Sequence, residues 1–318
     1  MPDIGNIVVL ELMGEVDDYA VESSFRREIE DTIENNTTIT TNDKKGIIDN
    51  HPTDIYGGIN IIPFNSDDYI LRSQDYYFQE AIAKYNAFSF DEAFSLFESA
   101  LNNGNVYALA HIGIMYHYGE GCDKNEENAF EYFEKGYNAG CSLATAWYSE
   151  CYRMGYGVDK DKDFALRLYK ANEKALKELC DADDTAALYF FGYNLIMGIG
   201  CEVDESEGIK LLETAVFKGN TRSAVQLAEC YLNGWGVLKN TKKAVDLLLQ
   251  NPSPRNKKYN FLLGRCYYNG DGVEKDYAKA FSFFEKAANQ GFGKAKDYLG
   301  DCYYNGQGVE KNLYEAAK

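Results

Sequence analysis

From about Tyr107 onward, the apolar residues of this chain recur at helical spacing rather than alternating as in a strand. Around Gly270, Leu263, Cys266 and Tyr267 fall on one helical face, and Ala280, Phe283, Phe284 and Ala287 fall on another. Gly270-Asp271-Gly272 separates the two stretches, so the pattern predicts helix, turn, helix. Six such Gly-x-Gly pairs punctuate the chain, beginning at Gly119, Gly155, Gly198, Gly234, Gly270 and Gly306, with steps of 36, 43, 36, 36 and 36 residues. A fixed period of this size marks a solenoid, in which each unit buries its apolar face against its neighbours. The first glycine of a pair suits the left-handed residue that ends a helix. The second permits a tight return, and Gly272 is expected to accept alanine better than Gly270 if its φ is negative. Six residues after each first glycine stands Asn125, Asp161, Asp204, Asn240, Asp276 or Asn312, the N-cap of a second helix. Gly140, Gly219 and Gly291 close units. Asn233-Gly234, Asn269-Gly270 and Asn305-Gly306 resemble hairpin turns, but their flanks have period 3.6, which selects helix caps.

Two irregularities are informative. The long step places seven extra residues within Ala171–Asp184, close to two helical turns, so a lengthened second helix keeps its buried face in phase. Pro252 and Pro254 are expected to cut another second helix short. Ahead of the array, Asp75–Asn86 and Asp91–Asn102 predict a capping helix pair over 73–104, with Ala93, Phe94, Phe97 and Ala100 at helical spacing. Residues 105–318 then hold six repeats, the last incomplete. Either the natural chain continues or another molecule covers that edge.

Residues 1–72 differ. Glu30–Asp54 is polar and aperiodic, and the expectation is an acidic, largely disordered segment. Val21, Phe25, Ile29 and Ile33 make a thin i, i+4 stripe, and Gly57–Phe64 reads as extended; either could dock on the solenoid or on a partner. The net charge is -18, and residues 1–75 hold 16 Asp/Glu against 5 Lys/Arg. This balance argues against nucleic acid and anionic membrane as main partners. No apolar run reaches 18 residues and the start lacks a basic n-region, so membrane insertion and a signal peptide are not expected and the location is read as cytoplasmic.

Candidate chemistry is sparse. Of eight cysteines, Cys151, Cys230, Cys266 and Cys302 lie four residues before a first glycine, and Cys122 and Cys201 lie three after it, where other units carry valine. They read as small core residues, free of disulfides and zinc. His51 stands apart, and His111 and His117, six residues apart, do not share a helical face. Asp123–Glu134 imitates a calcium loop but has Asn128 at the position that needs glycine. No nucleophile–base constellation or phosphate loop emerges, so neither enzyme activity nor a cofactor or metal is expected.

The pattern Ala-x-x-x-Leu-Gly-x-x-Tyr-x-x-Gly-x-Gly-Val-x-x-Asp-x-x-x-Ala resembles the Sel1-like repeat family, a relative of the tetratricopeptide repeats. Ala295, Leu299, Gly300, Tyr303, Gly306, Gly308, Val309 and Ala316 match it, with Asn312 for the Asp. Departures are Ser149 and Ala228 for the mid-helix Gly, Leu195 for the Tyr and Gly208 for the Ala. The resemblance implies adaptor and scaffold roles. A few secreted, cysteine-rich relatives have been described as binding or hydrolysing β-lactams, but their repeated disulfide spacing is absent here, and that activity is not carried over.

The expected architecture is an all-α solenoid of helix–turn–helix repeats forming a right-handed superhelix. Its function is expected to be that of a non-catalytic adaptor. The alternatives are the regulatory array of a longer enzyme or signalling chain, and a repeat hydrolase. Positions 12, 9, 5 and 2 before each first glycine fall opposite the buried Leu-type position. If first helices line a concave face, Tyr189, Tyr193, Ile196, Val225, Leu232, Phe261 and Tyr268 meet the partner. Arg222, Lys258 and Lys294 would form a cationic ladder beside Arg265. The partner is then a protein or peptide, with acidic groups matching the ladder. The competing reading packs part of this row between repeats and leaves the cations at helix starts for solvation.

Overall fold

The computed structural model describes Ile59 and residues 61–317, and every regular element among them is an α-helix. The chain divides into two compact units, to which the described residues contribute 59–220 and 221–317. The first holds α1 (Ser66–Ser73), α2 (Tyr76–Asn86), α3 (Phe90–Asn102), α4 (Ala108–Tyr118), α5 (Glu126–Asn138), α6 (Ser142–Met154), α7 (Lys162–Asp181), α8 (Thr185–Met197) and α9 (Glu205–Phe217). The second holds α10 (Thr221–Asn233), α11 (Thr241–Gln250), α12 (Lys257–Asn269), α13 (Tyr277–Asn289), α14 (Gly293–Asn305) and α15 (Leu313–Ala316). The fold is an α-solenoid of helix–turn–helix repeats.

The turn chemistry follows the sequence. Asn125, Asp161, Asp204, Asn240, Asp276 and Asn312 each cap a second helix through a side-chain oxygen that accepts from the backbone of its first turn. Gly270 ends α12 in the left-handed region at φ 81°, and its N–H donates to the Cys266 carbonyl. The second glycine corrects the expectation of an easier position. Gly272 also has positive φ, at 73°, and a Cβ there would lie 2.3 Å from the carbonyl oxygen of Thr241. Gly157 faces the Glu126 carbonyl at 2.4 Å in the same way. The first glycine therefore ends a helix, and the second lets the turn rest on the start of the preceding repeat's second helix.

The inserted residues lengthen α7 to 20 residues, against 13 for α5, and α11 stops after 10, before Pro252. Mid-helix glycines accommodate large partners. Phe133 and Phe284 are fully buried, and a Cβ at Gly113 or Gly264 would come within 2.6 Å of their rings. Ala228 replaces such a glycine in the repeat whose second helix offers the smaller Leu248, also fully buried. Gly208, a departure from the repeat pattern, has a reason: a Cβ there would lie 2.6 Å from the Gly192 carbonyl, so α8 and α9 meet backbone to backbone.

All eight cysteines are free, six of them buried. Burial pushes the Cys266 thiol up to about 12, with neighbouring charges as smaller influences. Residues 61–64, read from sequence as part of an extended segment able to dock, lead into α1, whose N-cap Asn65 accepts from Asp67 N and Asp68 N. The stripe at Val21–Ile33, His51 and the linker over 30–54 lie outside the described residues.

Candidate functional site

The first helices carry the candidate face, and the two units treat it differently. In the unit 221–317, Val225 and Leu232 on α10 and Phe261 on α12 are buried, none more than 5 % exposed. Phe261 packs on Phe292, with ring centroids 4.7 Å apart, and on Tyr298 at 5.6 Å. These are contacts between successive repeats. The apolar row taken for partner anchors is core here, because each first helix has a neighbouring repeat beside it. Ile196 on α8, in the other unit, is likewise buried at 3 %.

The polar members stay nearer the surface: Tyr189, Tyr193, Arg222, Lys258, Arg265, Tyr268 and Lys294 are half-buried. Several make contacts of their own. Lys258 Nζ lies 2.5 Å from Glu229 Oε2 and donates to Gln226 Oε1 at 3.1 Å, both on the preceding first helix. Arg265 donates to Asn233 Oδ1 at 3.5 Å, and the Tyr268 hydroxyl donates to Gln307 Oε1 at 2.7 Å. The structure thus makes Lys258 a strut between repeats; its charge is met within the chain. Arg222 and Lys294 occupy the same repeat position on α10 and α14.

The unit 59–220 shows members of this face that the sequence reading passed over. Arg153, two residues before Gly155, forms a two-point ion pair with Glu150, Nε to Oε2 at 2.8 Å and Nη2 to Oε1 at 2.6 Å. The Tyr169 hydroxyl donates to the same carboxylate at 2.5 Å. Burial, then the Glu150 charge, pushes the Tyr169 hydroxyl far up, so it stays a donor. His117 Nδ1 lies 2.7 Å from Glu126 Oε2, with the rings of Tyr118, Trp147 and Tyr156 around it. Burial raises the Glu126 pKa, but hydrogen bonds from His117 and Lys124 outweigh this and hold it below its ordinary value. Arg153 and His117 sit two residues before a first glycine, Glu150 sits five before, and Glu126 opens a second helix. Applying the repeat register to every unit, rather than to the middle ones, would have found them. Their carboxylates are tied up by ion pairs and tyrosine hydroxyls, an arrangement suited to fixing helix positions. No group of three or more metal-ligating side chains occurs among the described residues, and no described helix is long and apolar enough to cross a membrane.

The Sel1 repeat model matches residues 106–141, 142–171, 185–219, 221–250, 258–292 and 294–318, and the chain belongs to the Sel1 repeat family. Proteins of this family typically serve as protein-interaction scaffolds and are generally non-catalytic. The chain is similar to the crystal structure of a Sel1 repeat protein from Oxalobacter formigenes, with 24% identity, a TM-score of 0.48, and coverage of 75% of this chain and 93% of that one. It is also similar to c5321, a protective antigen of uropathogenic Escherichia coli strains displaying an SLR fold, with 22% identity, a TM-score of 0.41, and coverage of 79% and 54%. No curated protein matches the chain.

Proposed function

We propose that this protein is a non-catalytic adaptor that binds a protein or peptide carrying acidic groups along the first-helix face of residues 221–318. The supporting observation is the charge of that unit. It holds 15 Lys/Arg against 10 Asp/Glu, whereas residues 61–220 hold 13 against 27. A basic module inside an acidic chain attracts an acidic partner and sets its orientation. Arg222, Arg265 and Lys294 are the recognition cations, and half-buried Tyr268 is the aromatic contact on the same face. Tyr189 and Tyr193 offer a second aromatic contact on α8. Eight free thiols suit a reducing compartment, consistent with a cytoplasmic adaptor.

The test is Arg222→Glu with Lys294→Glu, leaving the strut Lys258 intact, against a partner captured by cross-linking to the full chain. Binding is expected to weaken at least tenfold, about 1.4 kcal/mol, with the loss shrinking as salt rises. Unchanged binding by a folded double variant would move the working face elsewhere.

A further inference from the structure

The segment ahead of the capping pair reaches three successive turns between repeats in the unit 59–220. At the first turn, Asn105 Nδ2 donates to the Arg72 carbonyl at 2.9 Å, and the Tyr107 hydroxyl lies 3.5 Å from Asp68 Oδ2. At the second, Ile62 covers Gly140: a Cβ on that glycine would lie 2.9 Å from Ile62 Cβ. At the third, the Tyr69 hydroxyl donates to Asp184 Oδ2 at 2.9 Å, a buried bond spanning 115 residues. Asp184 Oδ1 meanwhile caps α8, accepting from Ala186 N and Ala187 N. The Tyr69 ring stands edge-on to Tyr107 at 5.0 Å. By contrast, nothing would meet a Cβ within 4 Å at Gly219, which closes the next repeat.

This strap is lightly held. Of its described residues only Ile59 and Tyr69 are buried, whereas Ile62, Ile70 and Leu71 are 44 %, 49 % and 66 % exposed. The eight residues of α1 are too few to form a stable helix alone. A segment with few buried contacts opens at lower free energy than the core it lies on.

We propose that Ile59 and residues 61–73 are an intramolecular ligand: they occupy, in cis, a peptide-docking edge built from Tyr107, Gly140 and Asp184. A partner segment of the same chemistry docks there once the strap lifts. That chemistry is an extended apolar run followed by an Asn-capped helical turn whose tyrosine donates to Asp184. The edge lies in the acidic unit and is independent of the cationic face proposed above. A tethered segment acts at an effective concentration in the millimolar range, so a free competitor sees little of the edge while the latch holds.

The test uses the full chain and a labelled synthetic peptide of residues 57–75. Tyr69→Ala removes the latch, and Tyr69→Phe, lacking only the hydroxyl, serves if the alanine variant fails to fold. Three results are expected. Amides of 66–73 exchange with deuterium faster than those of α4 and α6 in the unaltered chain. They exchange faster still in the variant. The peptide, which keeps its tyrosine, binds the variant at least tenfold more tightly than the unaltered chain. Exchange of 66–73 only together with α4 and α6 would make the strap part of the core and overturn the proposal. So would equal peptide binding, or none, to a folded variant whose strap has opened. Arg222→Glu with Lys294→Glu is expected to leave peptide binding unchanged, so failure of the cationic-face reading is visible separately.

Discussion

The units 59–220 and 221–317 are written in one repeat code yet differ in sign: the first is strongly acidic and the second is basic. The buried positions are shared. Phe133 and Phe284 stand 14 residues after their first glycines, and each presses on a mid-helix glycine of its own repeat. The exposed positions are free, and each unit has used that freedom separately. One carries an ion pair, a tyrosine network and a strap; the other carries cations and an inter-repeat strut. Architecture in a solenoid is set by nearest-neighbour packing, so surface chemistry can change from one stretch to the next without disturbing the fold. A net charge averaged over the whole chain conceals this. The total of -18 hides the fact that residues 221–318 carry more Lys/Arg than Asp/Glu.

The comparison fails first if the shared core is not energetically shared. Phe133→Ala and Phe284→Ala are each expected to cost about 3–5 kcal/mol, measured by denaturant unfolding. Losses differing by more than about 2 kcal/mol would mean that equal register does not bring equal packing. The glycine pair is the next handle. Gly272→Ala is expected to cost about 2–4 kcal/mol, from positive φ plus collision with the Thr241 carbonyl, against about 1 kcal/mol for Gly270→Ala. Gly157→Ala, in the acidic unit, is expected to match Gly272→Ala in the same unfolding assay. A smaller effect distinguishes the strut. Lys258→Ala is expected to lower stability by about 1 kcal/mol by leaving Glu229 half-buried without its cation, and the double change with Glu229→Gln should recover part of that. The smallest effect belongs to Glu126. Its folded pKa is below its ordinary value, so its stabilisation is complete above the unfolded pKa and is lost as pH falls through the folded one. Between about pH 5 and pH 3 the unaltered chain should lose more stability than Glu126→Gln, by under about 1 kcal/mol.

The repeat itself was legible because its signals are local: a glycine four residues from a cysteine, an Asx six residues beyond it. The long α7 and the short α11 were legible for the same reason, since length and proline act within one helix. What escaped depends on neighbours. Gly272 looked like an ordinary turn glycine because its constraint is a carbonyl 31 residues earlier. Phe261, Val225, Leu232 and Ile196 looked like groove residues because helical periodicity shows that a face is apolar without showing what covers it. In an array a first helix is covered on several sides. The strap was read only in part: Gly57–Phe64 read as an extended segment able to dock, but the eight residues of α1 give too little periodicity to read, and its anchor, Asp184, is 115 residues distant. Lys258 looked like a partner contact because its repeat position does not show that it closes on Glu229.

The seven-residue extension of α7 shows how such an array can change length without losing register. Seven added residues turn the helix through about 700°, leaving its apolar stripe about 20° from where it began. In α7 the buried positions accordingly continue through Asn172, Ala175, Leu176, Leu179 and Cys180. Five added residues would leave the stripe about 140° out and point those side chains into water. Growth of a second helix is in effect quantised: insertions of seven or eleven residues are silent to the core, and intermediate lengths must be looped out. The same arithmetic tells an engineer where a reporter or a binding turn can be spliced into this chain, and in what increments.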